Sequence, residues 1–176
     1  MLHRDHRRKS ALVAVESAIR KRKFGTLSTL KSDGSPHATG VVYAVSPPAD
    51  PLTVYVTTRR TTMKVRNILN HPAVAFVIPV PHHLLSVVPP SVVQFTGSAE
   101  ILSDRDRDAV EAFQSSWFHR RILAAEQRIV AELPEMCFIA IRPQGALFTY
   151  GIGMTALEVV RRPRQAIGRV RLPEDR

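Results

Sequence analysis

Apolar residues recur along this chain with two different periods. From Ser10 to Arg22 they fall at Leu12, Val15 and Ile19, one stripe of a helix that Ser10 can cap and that packs across whatever follows. Phe24–Leu30 and His37–Val45 read instead as strands, separated by Lys31-Ser-Asp-Gly-Ser-Pro36. Within that segment Asp33-Gly34 is a hairpin signal, because glycine takes a positive φ without steric cost. Leu52–Thr58 alternates apolar and polar residues with period two and predicts a third strand after the stiff connection Ser46-Pro-Pro-Ala-Asp-Pro51. A short helix, Met63–Asn70, is entered at Thr61 or Thr62, whose hydroxyl can cap its free N–H groups, and is stopped by His71-Pro72. Ala73–Val80 is apolar throughout and suits a strand buried on both faces. Pro81–Pro90 is a loop with apolar content, after which Ser91–Leu102 resumes alternation through Val93, Phe95 and the flexible Gly97. Ser103-Asp104 then caps a helical region reaching Glu132, broken near Ser115–Phe118 and anchored by Val110, Phe113, Trp117, Ile122, Leu123 and Ile129. Met136–Arg142 is a sixth strand, and Ala146–Tyr150 extends the sheet before Gly151-Ile-Gly153.

This order, mostly antiparallel strands interrupted by helices, predicts a mainly β, α+β fold: a small barrel decorated with helices. At 176 residues, 44% of them apolar, the chain fits one domain spanning residues 1–176. Its net charge of +10 changes the picture only at the ends. Residues 1–23 contribute +6 and residues 161–176 contribute +4, while the body between them is neutral, so residues 1–9 and 162–176 read as basic tails. A nucleic-acid reader would place its basic residues on a folded surface, so DNA or RNA is not the expected partner. The longest apolar stretch, Ala73–Val80, contains Pro79 and falls far short of the roughly 20 residues that span a bilayer. With no apolar stretch and cleavage site near the start, a cytoplasmic address is expected. Cys137 lies in the apolar run Met136–Ile141 and reads as a core residue.

The candidate chemistry lies between Pro51 and Ala99, which hold no Asp or Glu between them. Arg59, Arg60, Lys64 and Arg66 nevertheless crowd the point where a strand hands over to the short helix. Lys64 sits in the first helical turn, where a cation opposes the positive end of the helix dipole at a cost of about 0.3–1 kcal/mol. An anion between the two resolves the conflict, and a phosphate would collect the helix N–H groups, a threonine hydroxyl and the lysine charge at one point. The alternative is a solvated basic turn.

Three segments carry a resemblance: Phe24-Gly-Thr-Leu-Ser-Thr-Leu with Asp33-Gly-Ser-Pro36, Thr57–Pro72, and Gln94-Phe-Thr-Gly-Ser-Ala-Glu100. Together they resemble the flavin-nucleotide split barrels related to pyridoxamine 5′-phosphate oxidase, over about residues 22–142. The resemblance implies a split β-barrel of the FMN-binding type, six-stranded and mostly antiparallel, working as a homodimer with its cofactor at the interface. It implies that Thr62 and Lys64 hold the cofactor's phosphate with Thr57, Thr58, Arg59, Arg60 and Arg66 about them. Thr39, Gly40, Val41 and Val42 would lie along the ring system, with Gln94 as a further contact. Met63 stands where many members have arginine, and the C-terminal segment that handles pyridoxal phosphate in the true oxidases is missing. The Lys-Val-Arg-Asn segment looks most like the branch that uses coenzyme F420, so F420 or FMN is the implied cofactor. The implied activity is hydride transfer to or from a small organic substrate.

No residue identifies itself as a proton donor; Tyr43, Tyr55 and Tyr150 qualify only by type, and read more simply as barrel aromatics. His82 and His83, with His71 and His119, invite haem, since imidazole is a usual axial ligand and some split barrels bind haem without turnover. Adjacent histidines point to opposite sides of an extended chain, and no cysteine or acid completes a tetrahedron, so no metal site is expected. There is no Gly-x-Ser-x-Gly elbow, and Gly151-Ile-Gly153 lacks the third glycine of a dinucleotide turn.

Overall fold

Strands β1 (Phe24–Leu30) and β2 (Pro36–Val45) form a hairpin in register from Phe24 opposite Val42 to Leu30 opposite Pro36. Its turn is fixed chemically: Gly34 has φ +79°, and Asp33 Oδ1 accepts from the Ser35 N–H at 2.8 Å and from the Ser35 hydroxyl at 2.6 Å. Strands β3 (Val54–Arg59), β4 (Ala73–Val80), β5 (Ser91–Ser103) and β6 (Met136–Pro143) complete a cycle in the order β4-β1-β2-β3-β6-β5, and the pairing of β4 with β5 closes it. Every ladder is antiparallel, so the protein is a closed six-stranded barrel. Two further strands, β7 (Ala146–Tyr150) and β8 (Ile167–Arg171), extend the sheet from β5. The computed structural model describes residues 2–81, 90–130 and 136–172. Among them no helix is long and apolar enough to cross a membrane.

The barrel interior is filled by the inward set of each strand, including Leu27, Tyr43, Val56, Phe76, Val93 and Ile139, all fully or almost fully buried. Each such side chain contributes about 1.5–3 kcal/mol relative to exposure. Helices cover the two ends. Helix α1 (Leu2–Lys21) sends Val15 and Ile19 into the core, and its Ile19 carbonyl accepts the buried Tyr43 hydroxyl at 2.7 Å. Helix α2 (Met63–Asn70) sends in Val65 and Ile68 and ties itself to β1 through Asn67, whose amide donates to Thr29 Oγ1 at 2.8 Å. Helices α3 (Arg107–Gln114) and α4 (Trp117–Val130) lie on the outer face, where Ala112, Phe113 and Leu123 pack with Tyr55, Phe138 and Ala140 as a second core.

Several expectations are corrected. Helix α1 starts at Leu2 rather than Ser10, so the basic residues before Ser10 belong to a helix. Residues 162–172 are likewise structured. After α5 (Ala156–Arg161), α6 (Pro163–Ala166) leads into β8, whose ladder with β7 runs from Ala146–Arg171 to Tyr150–Ile167. Burial alternates along β4 instead of being complete on both faces, because among the described residues no helix covers its outer side. Helix α3 is capped by Asp106, which accepts from the Ala109 N–H at 3.0 Å, since Ser103 still belongs to β5 and bonds Asp104. The break at Ser115–Ser116 is present, but Trp117 is 65% exposed and anchors nothing. Ile129's side chain and Glu132 lie outside the described residues. Gly97 is not a flexible point: a Cβ there would lie 2.2 Å from the Arg142 carbonyl oxygen, so the absent side chain lets β6 approach.

Gly97→Ala therefore forces β5 from β6 and is expected to cost about 1–3 kcal/mol; an unchanged urea midpoint would show that the two strands part freely there. Asn67→Ala removes the amide that joins α2 to β1 and is expected to cost about 1–3 kcal/mol, measured the same way.

Candidate functional site

Strand β2 pairs with β1 from Pro36 to Val42 but with β3 only from Tyr43–Val56 to Val45–Val54. Beyond that point β3 keeps to β6, down to Arg59 opposite Met136, and its last residues Thr57, Thr58 and Arg59 have no ladder with β2. The barrel is thus split, with Thr39–Val42 on one bank of the gap and Thr57–Arg59 on the other. The Tyr43 N–H donates to the Lys23 carbonyl on the β1 side at 3.0 Å. By the alternation of an antiparallel strand, the N–H and C=O groups of Val42 and Gly40 then point into the gap. These are obligatory hydrogen-bonding groups with no ladder partner on that side.

The side chains of the first bank divide between two faces. Val41 is buried in the barrel core and Thr39 shares its inward parity, so both can offer a ligand little beyond their edges. Gly40 is exposed and Val42 half-buried on the outer face. The space over Gly40 is already used: a Cβ there would lie 2.6 Å from the ring of Phe24, which is itself 54% exposed. Phe24 thus forms a movable aromatic cover over the gap's floor. Beside it, the Lys23 ammonium lies 4.5 Å from the ring centre of Phe118 in α4.

The second bank ends in the cationic turn. Thr58 is buried, and its hydroxyl oxygen stands 3.4 Å from that of Thr62. The expected capping by Thr62 is not made. Its hydroxyl donates back to the Arg59 carbonyl at 2.9 Å instead, although its backbone at the N-cap position (φ −72°, ψ 151°) is that of an ordinary cap. Helix α2 therefore begins with no side chain capping its N–H groups and no acid in its first turn. Lys64 is half-buried there, and burial first, then repulsion by Arg59, lowers its pKa below the ordinary lysine value. The charges of Cys137 and Glu126 act in the opposite sense. Arg60 and Arg66 are exposed, Arg66 on the solvent side of α2.

The arrangement brings Thr57, Thr58, Arg59, Thr62 and Lys64 together, opposite Gly40 and Val42. It does not bring Gln94 to them. Gln94 is exposed on β5, in the row Gly40–Thr26–Val77–Gln94 that crosses β2, β1, β4 and β5. Three strand spacings separate its ends, about 14 Å. One contributor has no counterpart in the sequence reading: Phe24, whose place at the strand start gave no sign that it covers Gly40. Tyr43 and Tyr55 are committed elsewhere. Burial raises the pKa of Tyr43, bonded inside the barrel, and of Tyr55, under α3. Among the described residues no group of three His, Cys, Asp or Glu could hold a metal ion, and His82 and His83 lie outside them.

A family model described as pyridoxamine 5′-phosphate oxidase matches residues 13–150. None of the curated proteins matches the chain significantly. Among solved structures, it is similar to a pyridoxamine 5′-phosphate oxidase-related, FMN-binding protein from Nostoc punctiforme (15% identity, 98% of this chain and 94% of that one, TM-score 0.55). It is also similar to HutZ, the haem storage protein from Vibrio cholerae (15%, 79% and 94%, TM-score 0.61), and to the conserved hypothetical protein Rv2991 from Mycobacterium tuberculosis (22%, 76% and 79%, TM-score 0.54). At these identities the structures speak for the fold alone.

The packing of α4 generates a prediction of its own. His119 is buried, its Nδ1 lies 2.9 Å from Ser116 Oγ, and burial lowers its pKa below the usual 6.5. A histidine so shifted binds fewer protons in the folded state between the two values, so stability rises with pH across that interval and is lost on acidification. Urea midpoints should fall as pH drops below 6.5, and His119→Gln should flatten that slope; an equal slope in the variant would assign the loss to other groups.

Proposed function

The chain belongs to the pyridoxamine 5′-phosphate oxidase family, and from that footing we propose that it binds a flavin-type nucleotide, coenzyme F420 or FMN, for hydride transfer to or from a small organic substrate. The observation that carries this is the gap between β2 and β3, which ends in an uncapped, cation-rich helix start. The residues present fit such a group. The α2 N–H groups and Lys64 would take the phosphate, with Arg59 adding charge and Thr58 a hydroxyl. Thr62 can donate to the phosphate only by releasing the Arg59 carbonyl. The backbone edges of Gly40 and Val42 would meet the polar rim of the ring, and Phe24 would turn aside or stack upon it.

When bound, the nucleotide supplies the hydride chemistry, which is obligate for the deazaflavin. The chain's own part is to fix the phosphate, hold the ring against β2 and limit access of water. We also place a second copy against the outer face of β1 and β4, where Thr26, Ser28, Ala75 and Val77 are half-buried and, among the described residues, no helix packs over them. Such a homodimer would let one protomer's Gln94 serve its partner's site. A haem-binding protein without turnover is the rival reading, drawn from the likeness to HutZ.

Titration of the purified protein with FMN and with coenzyme F420, followed by cofactor fluorescence, should show binding of one of them, weakened about 10- to 100-fold by Lys64→Ala. Unchanged affinity in the variant would refute the phosphate site, and binding of neither cofactor, with a Soret band on adding haemin, would turn the assignment to haem.

A further inference from the structure

Strand β2 outruns β1 at the end away from the gap. Their ladder stops at Phe24 opposite Val42, and the Tyr43 N–H then donates to the Lys23 carbonyl on the same edge. Ser46 faces the other edge, its N–H donating to the Thr53 carbonyl at 3.0 Å, so by alternation Val45 turns its N–H to the β1 side, where no described strand pairs with it. A cavity of about 460 Å³ lies there instead, between the end of α1, the Pro47-Pro48 connection and the corner from α3 to α4. Val45, Pro47 and Ala112 give it apolar walls, and Arg20 and Arg22 bring two half-buried guanidiniums to it. Arg20 spans the rim by donating to the Ser46 and Pro47 carbonyls.

His119 lines the same cavity and is 6% exposed. Ser116 Oγ accepts the His119 backbone N–H at 3.2 Å and stands 2.9 Å from Nδ1, so its own hydrogen is available to Nδ1 and the proton of the neutral ring falls to Nε2. Nε2 is buried with no hydrogen-bond partner; the Tyr43 carbonyl, on the same edge of β2 as the Val45 N–H, acts on the ring without completing a bond to it. A buried donor in that state is costly, and it marks a place for a ligand atom. The one carboxylate on the lining is that of Glu111, so two guanidiniums against one acid leave a net charge of +1. Apolar walls with a few convergent donors are the make-up of a small-molecule site.

We propose that this cavity binds a small monocarboxylate with an apolar body, its carboxylate met by His119 Nε2–H and the Val45 N–H and its charge balanced by Arg20 and Arg22. The site does not rest on the flavin reading. It lies on the β1 side of β2 at residues 43–46, whereas the gap opens on the β3 side at residues 39–42.

Benzoate is the first probe, and benzamide, of the same shape without the charge, is its control. In spectra of the histidine ring nitrogens, benzoate should shift the Nε2 signal of one histidine, and that signal should be missing in His119→Phe. Affinity should fall about tenfold or more in His119→Phe, which keeps a ring against Phe113, and likewise in Arg22→Gln, while benzamide should bind about tenfold more weakly than benzoate. The proposal is overturned if none of benzoate, 3-phenylpropionate and hexanoate shifts the His119 signal at about 10 mM, if benzamide binds as well as benzoate, or if both variants keep wild-type affinity. Should His119→Phe lose its fold together with binding, Arg22→Gln decides: at an unchanged urea midpoint, wild-type benzoate affinity overturns the site and a loss of about tenfold supports it. Titrations with FMN and coenzyme F420 bear on the gap alone, so each reading fails or stands without the other.

Discussion

The rest of the structure depends on a ladder that stops short. Strand β3 cannot follow β2 and β6 along its whole length, and it stays with β6, from Val54 opposite Ile141 to Arg59 opposite Met136, while β2 stays with β1. Backbone groups left unpaired between two strands must face water or a ligand, because burying them unsatisfied costs about 1–3 kcal/mol each. An opening in a barrel wall is therefore a place where hydrogen-bonding capacity is held ready. Gly40 lets Phe24 lie over the strand at its edge, since a side chain there would collide with that ring.

Helix α2 joins that opening to the core. One side of it, Val65, Asn67 and Ile68, plugs the barrel end and is fixed by the Asn67–Thr29 bond. Its first turn carries Lys64 and the uncapped N–H groups. The element that gathers positive potential is thus the one the hydrophobic core holds most directly, and a ligand binding there meets a preorganised surface. Helix α4 plays the matching part from outside, its Leu123 buried against the β3–β6 face.

The strands and α2 were legible because period and turn chemistry agreed: Asp33-Gly34 fixed the first hairpin, and the alternation of Leu52–Thr58 fixed the third strand within two residues of its observed start. What was not legible depended on distant partners. The apolar run of β4 gave no sign that one face would be left uncovered. The Thr62 hydroxyl could cap or fold back, and no local pattern encodes its choice of the Arg59 carbonyl. The C-terminal elements do carry a local signal, since Thr155 and Glu158 form a reciprocal capping box that announces α5, with β8 beyond it. Within the candidate site, the two banks were legible as short motifs, whereas their facing each other across a split was a property of the register.

The closure of the barrel by β6 also dictates an order of events. Strands β1 to β5 can pair among themselves as they leave the ribosome, but the outer edge of β3 finds its partner only once Met136–Pro143 has been made. Until then a strand as apolar as Val54-Tyr-Val56 presents an open edge, the kind of template on which nascent chains associate. Long-range closure is slow because the loop entropy is lost before the ladder forms. The ladder with β6 that holds β3 beyond the reach of β2 is therefore also the chain's last and most exposed step in becoming a barrel at all.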